Sequence, residues 1–482
     1  MTNSTDVAPC DLGAVEARRR IGAKQLSPVE LLDSCLQRIE DVDGTLNSVV
    51  AMDVALGREQ ARQAEKAALA GEDLGPLHGL PVGVKDLEPV KGLRSTYGSL
   101  IYEHHIPDED DTMVANVRAA GANIFCKTNT PEFGAGANTK NRVYGATGNP
   151  FDPEKTCAGS SGGSAVALAA GMMPLATGSD YGGSLRTPAA FCGITGFRPS
   201  PGLIPVVDRS VSLNPFAVLG PMGRSVADAH LLFKAQVDRD RHDPFSSADA
   251  DAIPDELTGA DLGKLRMAWS ADLGCATMAS GIRETFNNRV PLMQSAFADS
   301  FERDPFMDDI HECFEILRCV NFVGAHRERL ETHRDLLGPN VIDNTERGKA
   351  YSLFDVAWAH TAQTKIYDAF VNFFRDADIL ICPTASVSPF PHAQLSVDEI
   401  EGEKMATYMR WLAPVYALTM ALPSSCVIPC GLDPEGMPFG IQVVGPKGSD
   451  AHVLQVAHSL EAVLAKTLET ARPLPDLDKL KK

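Results

Sequence analysis

Three residues carry the chemistry this sequence offers: Lys85, Ser160 and Ser184, separated by 75 and 24 positions. Ser160 sits in Gly159-Ser160-Ser161-Gly162-Gly163, and Ser184 closes Gly182-Gly183-Ser184. Glycine has no Cβ, so such clusters turn sharply and let backbone N–H groups approach a ligand. A serine held at such a bend exposes its hydroxyl, which becomes a nucleophile once a base takes its proton. Lys85 follows the apolar run Leu80-Pro81-Val82-Gly83-Val84, which reads as a buried strand. A lysine there needs an account, because lysine is rarely buried without a partner. Two readings stand side by side. In one, Asp86 pairs with it. In the other, desolvation lowers its pKa until the neutral amine is a base, a shift of about three units from about 10.4, or about 4 kcal/mol. Under the second reading Ser184 attacks a carbonyl and Ser160 relays the proton to Lys85. The N–H groups of Tyr181, Gly182, Gly183 and Ser184 then receive the oxyanion.

Other chemistries are less complete. Gly159-Ser160-Ser161-Gly162-Gly163 also matches the G-x-S-x-G elbow of serine hydrolases, with Ser161 as nucleophile. That mechanism needs a later acid and histidine, and His452 and His458 lie on what reads as an amphipathic helix. It also leaves Lys85 and the second glycine cluster unused. No G-x-x-x-x-G-K-[ST] loop occurs, and Gly134-Ala135-Gly136 lacks the third glycine of a dinucleotide fingerprint. The eleven cysteines are scattered without a C-x-x-C pair. His311, Glu312, Cys313 and Cys319 read as a buried helix face, since no second ligand pair follows at metal-binding spacing. Neither a metal nor a cofactor is expected.

The elements that must position these residues alternate between strand and helix. Residues 1–70 read as a helical arm on the core, opened by the capping box Ser27-Pro28-Val29-Glu30. From residue 71 onward the texture is that of a core. Residues 111–124 read as helix then strand, and Gly134, Gly136 and Gly145 loosen a loop suited to lining a pocket. A helix over Ala165–Ala170 and a strand over Met173–Thr177 separate the two serine clusters. Thr187 and Pro188 read as the cap and first residue of the next helix. Strands are expected over Leu265–Trp269, Asp378–Cys382, Cys426–Cys430 and Phe439–Val444, with helices around Ala406–Met420 and Ala451–Leu464. The segment 238–375 reads as a mostly helical insertion covering the pocket. This alternation predicts an α/β fold with one large mixed sheet and helices on both faces.

The 482 residues carry 44 basic and 63 acidic side chains, a net charge of −19, which argues against a broad surface for nucleic acid. The N-terminus has no apolar signal-peptide core, and no apolar run approaches membrane-spanning length. A cytoplasmic enzyme, monomeric or homodimeric, is the expectation.

Lys85, the run Ser160-Ser161-Gly162-Gly163-Ser164 and Asp180-Tyr181-Gly182-Gly183-Ser184-Leu185-Arg186 resemble the amidase signature family. The likeness extends from GPLHGLPVGVKD through KTNTPEFG and GATGNP to GFRPS, and resumes at LICPTAS, LPSS and PFGIQVVG. It covers most of the chain outside roughly 238–375. The resemblance implies that Ser184 is the acylating nucleophile, Ser160 the bridging serine after a cis peptide with Gly159, and Lys85 the base. It further implies an oxyanion loop from Tyr181 to Ser184, with Asp180 and Arg186 holding that loop. Gly134 would line the acyl side of the pocket. Tyr181 departs from the smaller residues common there. The implied activity is hydrolysis of small-molecule amides or carbamates by water, as in stand-alone aryl acylamidase, oligoamide hydrolase and urethanase types. The alternative is the glutaminase component of a tRNA-dependent amidotransferase, from whose wording Gly196-Phe197-Arg198-Pro199-Ser200 departs.

Overall fold

The short apolar runs of the sequence assemble into one mixed sheet. The computed structural model describes residues 7–207, 209–305 and 308–481. Its central sheet has eleven strands among those residues. In chain order they are β1 (Val49–Met52), β2 (Pro81–Lys85), β3 (Asn123–Thr128), β4 (Leu175–Asp180), β5 (Thr195–Arg198) and β6 (Val218–Gly223). They continue with β7 (Arg266–Trp269), β8 (Asp299–Glu302), β9 (Ile379–Pro383), β10 (Ser424–Leu432) and β11 (Pro438–Gly445). Across the sheet the order is β1-β3-β2-β4-β6-β5-β10-β11-β9-β7-β8.

Every residue of β2, β3, β6, β9 and β11 is buried, as strands covered by helices on both faces must be. The pairings β2–β3 and β2–β4 are parallel, with Val82 opposite Leu175 and Gly83 opposite Ala176. The C-terminal ends of β2 and β4 therefore emerge on the same edge, which brings Lys85 beside Ser179 and Asp180. That edge is where open α/β sheets place their ligands.

Two short helices, Gly162–Ala169 and Arg186–Cys192, follow the serine clusters, and all their residues are buried. The first packs so tightly that a Cβ on Gly163 would fall 2.2 Å from the backbone nitrogen of Asn129. Three longer helices, Ile310–Thr332, Pro339–Ala350 and Leu353–Phe373, pack side by side within the 238–375 segment. No described helix is long and apolar enough to cross a membrane.

The structure corrects several boundaries. The N-terminal arm is not wholly helical: Val49–Met52 pairs antiparallel with β3 and forms the sheet edge. Strand β4 runs on to Asp180 through Gly178 and Ser179, poor strand formers, because the antiparallel partner β6 pairs with it residue by residue. Leu185, not Thr187, occupies the cap position of the helix Arg186–Cys192. The helix expected around Ala406–Met420 is confined to Ala413–Thr419, behind a 3-10 turn at Arg410–Leu412. Strand β8, inside the insertion, has no alternating pattern that announced it.

Candidate active site

Lys85 ends β2 with no exposure to solvent. Its Nζ stands 2.8 Å from Ser160 Oγ, 2.9 Å from Ser161 Oγ and 2.8 Å from Ser179 Oγ. Burial pulls its pKa down to about 8, against the opposing pull of the Glu88 and Asp180 carboxylates. The ion pair with Asp86 does not form. Asp86 turns away to accept the N–H of Thr96 at 3.0 Å and its hydroxyl at 2.6 Å, and it lies 3.9 Å from Lys127 Nζ. Glu88 is buried behind Lys85, and burial raises its carboxyl to about 7 although Lys85 and Lys127 pull the other way. Its Oε2 accepts the Thr177 hydroxyl at 3.4 Å, and its Oε1 has no partner among the described residues.

Ser160 follows a cis peptide bond with Gly159. Ser161 is fully buried, its Oγ shared between Lys85 Nζ, Ser179 N–H and the Ser179 carbonyl. No histidine is among its contacts, so the elbow mechanism lacks its base there. The Ser161 N–H donates to Ser184 O at 3.2 Å and ties the two serine clusters together. The Ser184 hydroxyl has no hydrogen-bond partner among the described residues and, like Ser160, opens on a cavity of about 490 Å³.

The loop before Ser184 is held by Asp180. Its carboxylate accepts the N–H of Gly183 at 3.0 Å and that of Leu185 at 3.1 Å. Arg186 meets it through two N–H groups at 3.0 Å, and Arg198 through a third at 3.0 Å. Burial alone raises the Asp180 pKa, but the two guanidinium charges reverse that and hold the carboxyl well below the usual range. Arg186 also reaches Val415 O, Gln442 Oε1 and Thr419 Oγ1, which ties the loop to the helix Ala413–Thr419 and to β11. Gly183 has φ +117, a conformation that side chains resist. Its N–H is committed to Asp180, whereas those of Tyr181, Gly182 and Ser184 have no partner among the described residues.

Gly134, at φ +69, also lines the cavity, and a Cβ there would sit 3.3 Å from Ser160 Oγ. The Tyr181 ring packs edge-on to Phe216 at 5.7 Å, and its hydroxyl accepts Asn214 Nδ2 at 3.4 Å. The opposite wall comes from the helix Ile310–Thr332, which presents Arg318, Phe322, Ala325, His326 and Arg329 at helical spacing. Burial and the Arg329 charge lower the His326 pKa to about 4, so that ring stays neutral. His311, weighed above as a metal ligand, contacts the Tyr416 hydroxyl at 2.5 Å and the Cys275 carbonyl at 3.0 Å.

All of Lys85, Ser160, Ser184, Gly134, Gly159, Asp180, Arg186 and the Tyr181–Ser184 loop thus gather at one edge of the sheet. Sequence reasoning missed Ser179, Glu88, Arg198 and Arg318. Ser179 was accessible in principle, since it precedes Asp180 in the same strand. Glu88 was signalled by its place three residues after the buried lysine.

The family described as Amidase matches residues 30–454. An acylamidase of Rhodococcus erythropolis is 31% identical over 455 residues, covering 94% of this chain and 95% of its own length. One component chain of the glutamyl-tRNA(Gln) amidotransferase of Thermosynechococcus vestitus is 30% identical over 482 residues, covering 92% of this chain and 96% of its own. Among solved structures, a bacterial aryl acylamidase of the amidase signature family superposes with a TM-score of 0.85 at 24% identity, covering 94% of this chain and 96% of its own.

Proposed function

The chain belongs to the amidase signature family of hydrolases, and we propose that it cleaves small-molecule amides through an acyl-enzyme on Ser184. One observation carries the reading. A lysine stripped of water lies 2.8 Å from Ser160 Oγ, and Ser160 lines the same cavity as Ser184. Neutral Lys85 takes the Ser160 proton as Ser160 takes that of Ser184, and Ser184 Oγ bonds to the carbonyl carbon. The N–H groups of Tyr181, Gly182 and Ser184 receive the oxyanion, while Gly183 supplies the turn. Collapse breaks the C–N bond, and the proton returns from Lys85 through Ser160 to the leaving nitrogen. A water then repeats the path, adding across the acyl-serine bond to release the acid and restore Ser184.

Anilides, carbamates and esters fit the same path, because only the leaving group or acyl flank differs. The 31% identity to an acylamidase supports the amide reading. A second reading, the glutaminase component of an amidotransferase, draws on the 30% identity to the chain from Thermosynechococcus vestitus. Purified protein assayed alone on a panel of anilides, carbamates and esters is expected to turn over at least one of them. Activity confined to glutamine in the presence of a second protein would instead establish the glutaminase reading.

A further inference from the structure

We propose that the cavity takes an amide whose far end carries an anion, a carboxylate or a group of like charge and shape, held by Arg318. This rests on the amide-hydrolase reading above. Five arginines are buried among the described residues. Arg186 and Arg198 meet Asp180, and Arg289 meets Glu469. Arg224 gives its N–H groups to the carbonyls of Cys10 and Leu12. Arg318, 6% exposed, is different: it meets only the neutral oxygens of Asn344 and Tyr408, yet it lines the cavity.

The acids within reach are already engaged. Glu315, on the same helix, and Asp343, on the neighbouring one, both pair with Arg347. Among the described residues no carboxylate lies within ion-pair distance of Arg318. A guanidinium has five N–H donors, and Asn344 and Tyr408 occupy two of them. Phe322 and Tyr408 flank the charge, with ring centroids 4.6 and 5.2 Å away, and hold the fork flat. Burying a cation without a counter-charge is costly, and a ligand carboxylate offsets that cost while accepting two parallel N–H bonds.

Arg329 strengthens the field without sharing the ligand. It stacks on Tyr102 and Phe133 and has no ion pair among the described residues. It stands eleven residues on from Arg318, about 16 Å along the helix. The cavity is therefore positive in a chain whose net charge is −19, and a steering field of that sign favours anionic substrates. The competing role for Arg318 is mechanical, bolting the helix Ile310–Thr332 to Asn344 and Tyr408.

Two ligand pairs decide the matter. One is the anilide of pentanoic acid against the monoanilide of pentanedioic acid; the other is N-acetyl-4-toluidine against N-acetyl-4-aminobenzoate. Binding is measured by calorimetry on the full-length Ser184→Ala variant. In at least one pair the carboxylate is expected to bind tenfold or more tightly, with the preference falling as salt rises. Adding Arg318→Met should bring the pair within about twofold, and Arg318→Lys should keep part of the preference. Equal binding in both pairs with Arg318 intact overturns the proposal, as does an Arg318→Met variant that weakens both members alike. Turnover by the native enzyme tests the hydrolase reading separately. Preference without turnover removes that reading and leaves the anion site, whereas turnover without preference removes the anion site alone.

Discussion

The Asp180 carboxylate accepts the N–H of Gly183 at 3.0 Å, and through its other oxygen it takes the N–H of Leu185, so that one side chain brackets Ser184. The bracket does two things at once. It holds a glycine at φ +117, and it leaves the N–H groups of Gly182 and Ser184 pointing away from any protein acceptor among the described residues. A loop in that state suits the oxyanion role proposed for it, since preorganised N–H groups need no reorganisation during the reaction.

Asp180→Asn should therefore damage both stability and rate. The carboxylate is the shared counter-charge of Arg186 and Arg198, all three fully or nearly fully buried. Removing one member of such a buried group costs about 3–5 kcal/mol. Chemical denaturation is expected to show a loss of that size, with a kcat reduced at temperatures where the variant is still folded. A variant as stable as the native chain would mean that the guanidinium groups find their partners elsewhere.

Ser184→Ala should separate chemistry from fold. The half-buried hydroxyl makes no hydrogen bond among the described residues, so its loss should change unfolding free energy by no more than about 0.5 kcal/mol. Turnover should fall by at least about a thousandfold, because the proposed nucleophile is gone. Mass spectrometry of the native enzyme with a slow carbamate is expected to place the added mass on Ser184, and a label on Ser161 would revive the elbow alternative.

The pH profile follows from Lys85 as the proposed base. Its base form is the neutral amine, and burial lowers its pKa to about 8. Below that value the ammonium dominates, so kcat/KM should rise about tenfold per pH unit and level off above about pH 8. The Glu88 carboxylate favours the ammonium, so Glu88→Gln removes an anion and lowers the Lys85 pKa. The acid limb should then move to lower pH. A limb that stays put or moves up would show that Glu88 does not act on Lys85.

The lysine, both serines and the two glycine clusters were legible in the sequence because turns and nucleophiles draw on a few residue types at short range. The α/β alternation was legible for the same local reason, since β9 is a continuous apolar run and β2 and β3 contain the apolar stretches 81–84 and 124–126. What resisted was long-range. Val49–Met52 becomes a strand only because β3 offers it an edge, and the Gly178-Ser179-Asp180 end of β4 is held extended by β6. Lys85 and Asp86 are neighbours in sequence, yet the strand ends at Lys85 and Asp86 turns to Thr96 and Lys127 instead. Arg318 lies on a helix whose pattern says only that one side is buried. Nothing local reveals that its carboxylates are taken by Arg347.

Gly134→Ala tests how finely Ser160 is placed. Gly134 sits at φ +69, where an alanine is strained by about 1 kcal/mol before any contact is counted. Its Cβ would stand 3.3 Å from Ser160 Oγ and 3.1 Å from Leu87 Cδ1. Leu87 can yield by rotating, but the Ser160 hydroxyl is already positioned 2.8 Å from Lys85 Nζ. A displacement of that hydroxyl lengthens the proton path proposed for both acylation and deacylation. The expected result is a kcat about tenfold to a hundredfold lower, with KM for a small anilide changed by less than about threefold and an unchanged apparent pKa near 8. A raised KM with native kcat would show instead that Gly134 only shapes the acyl pocket and leaves the relay untouched.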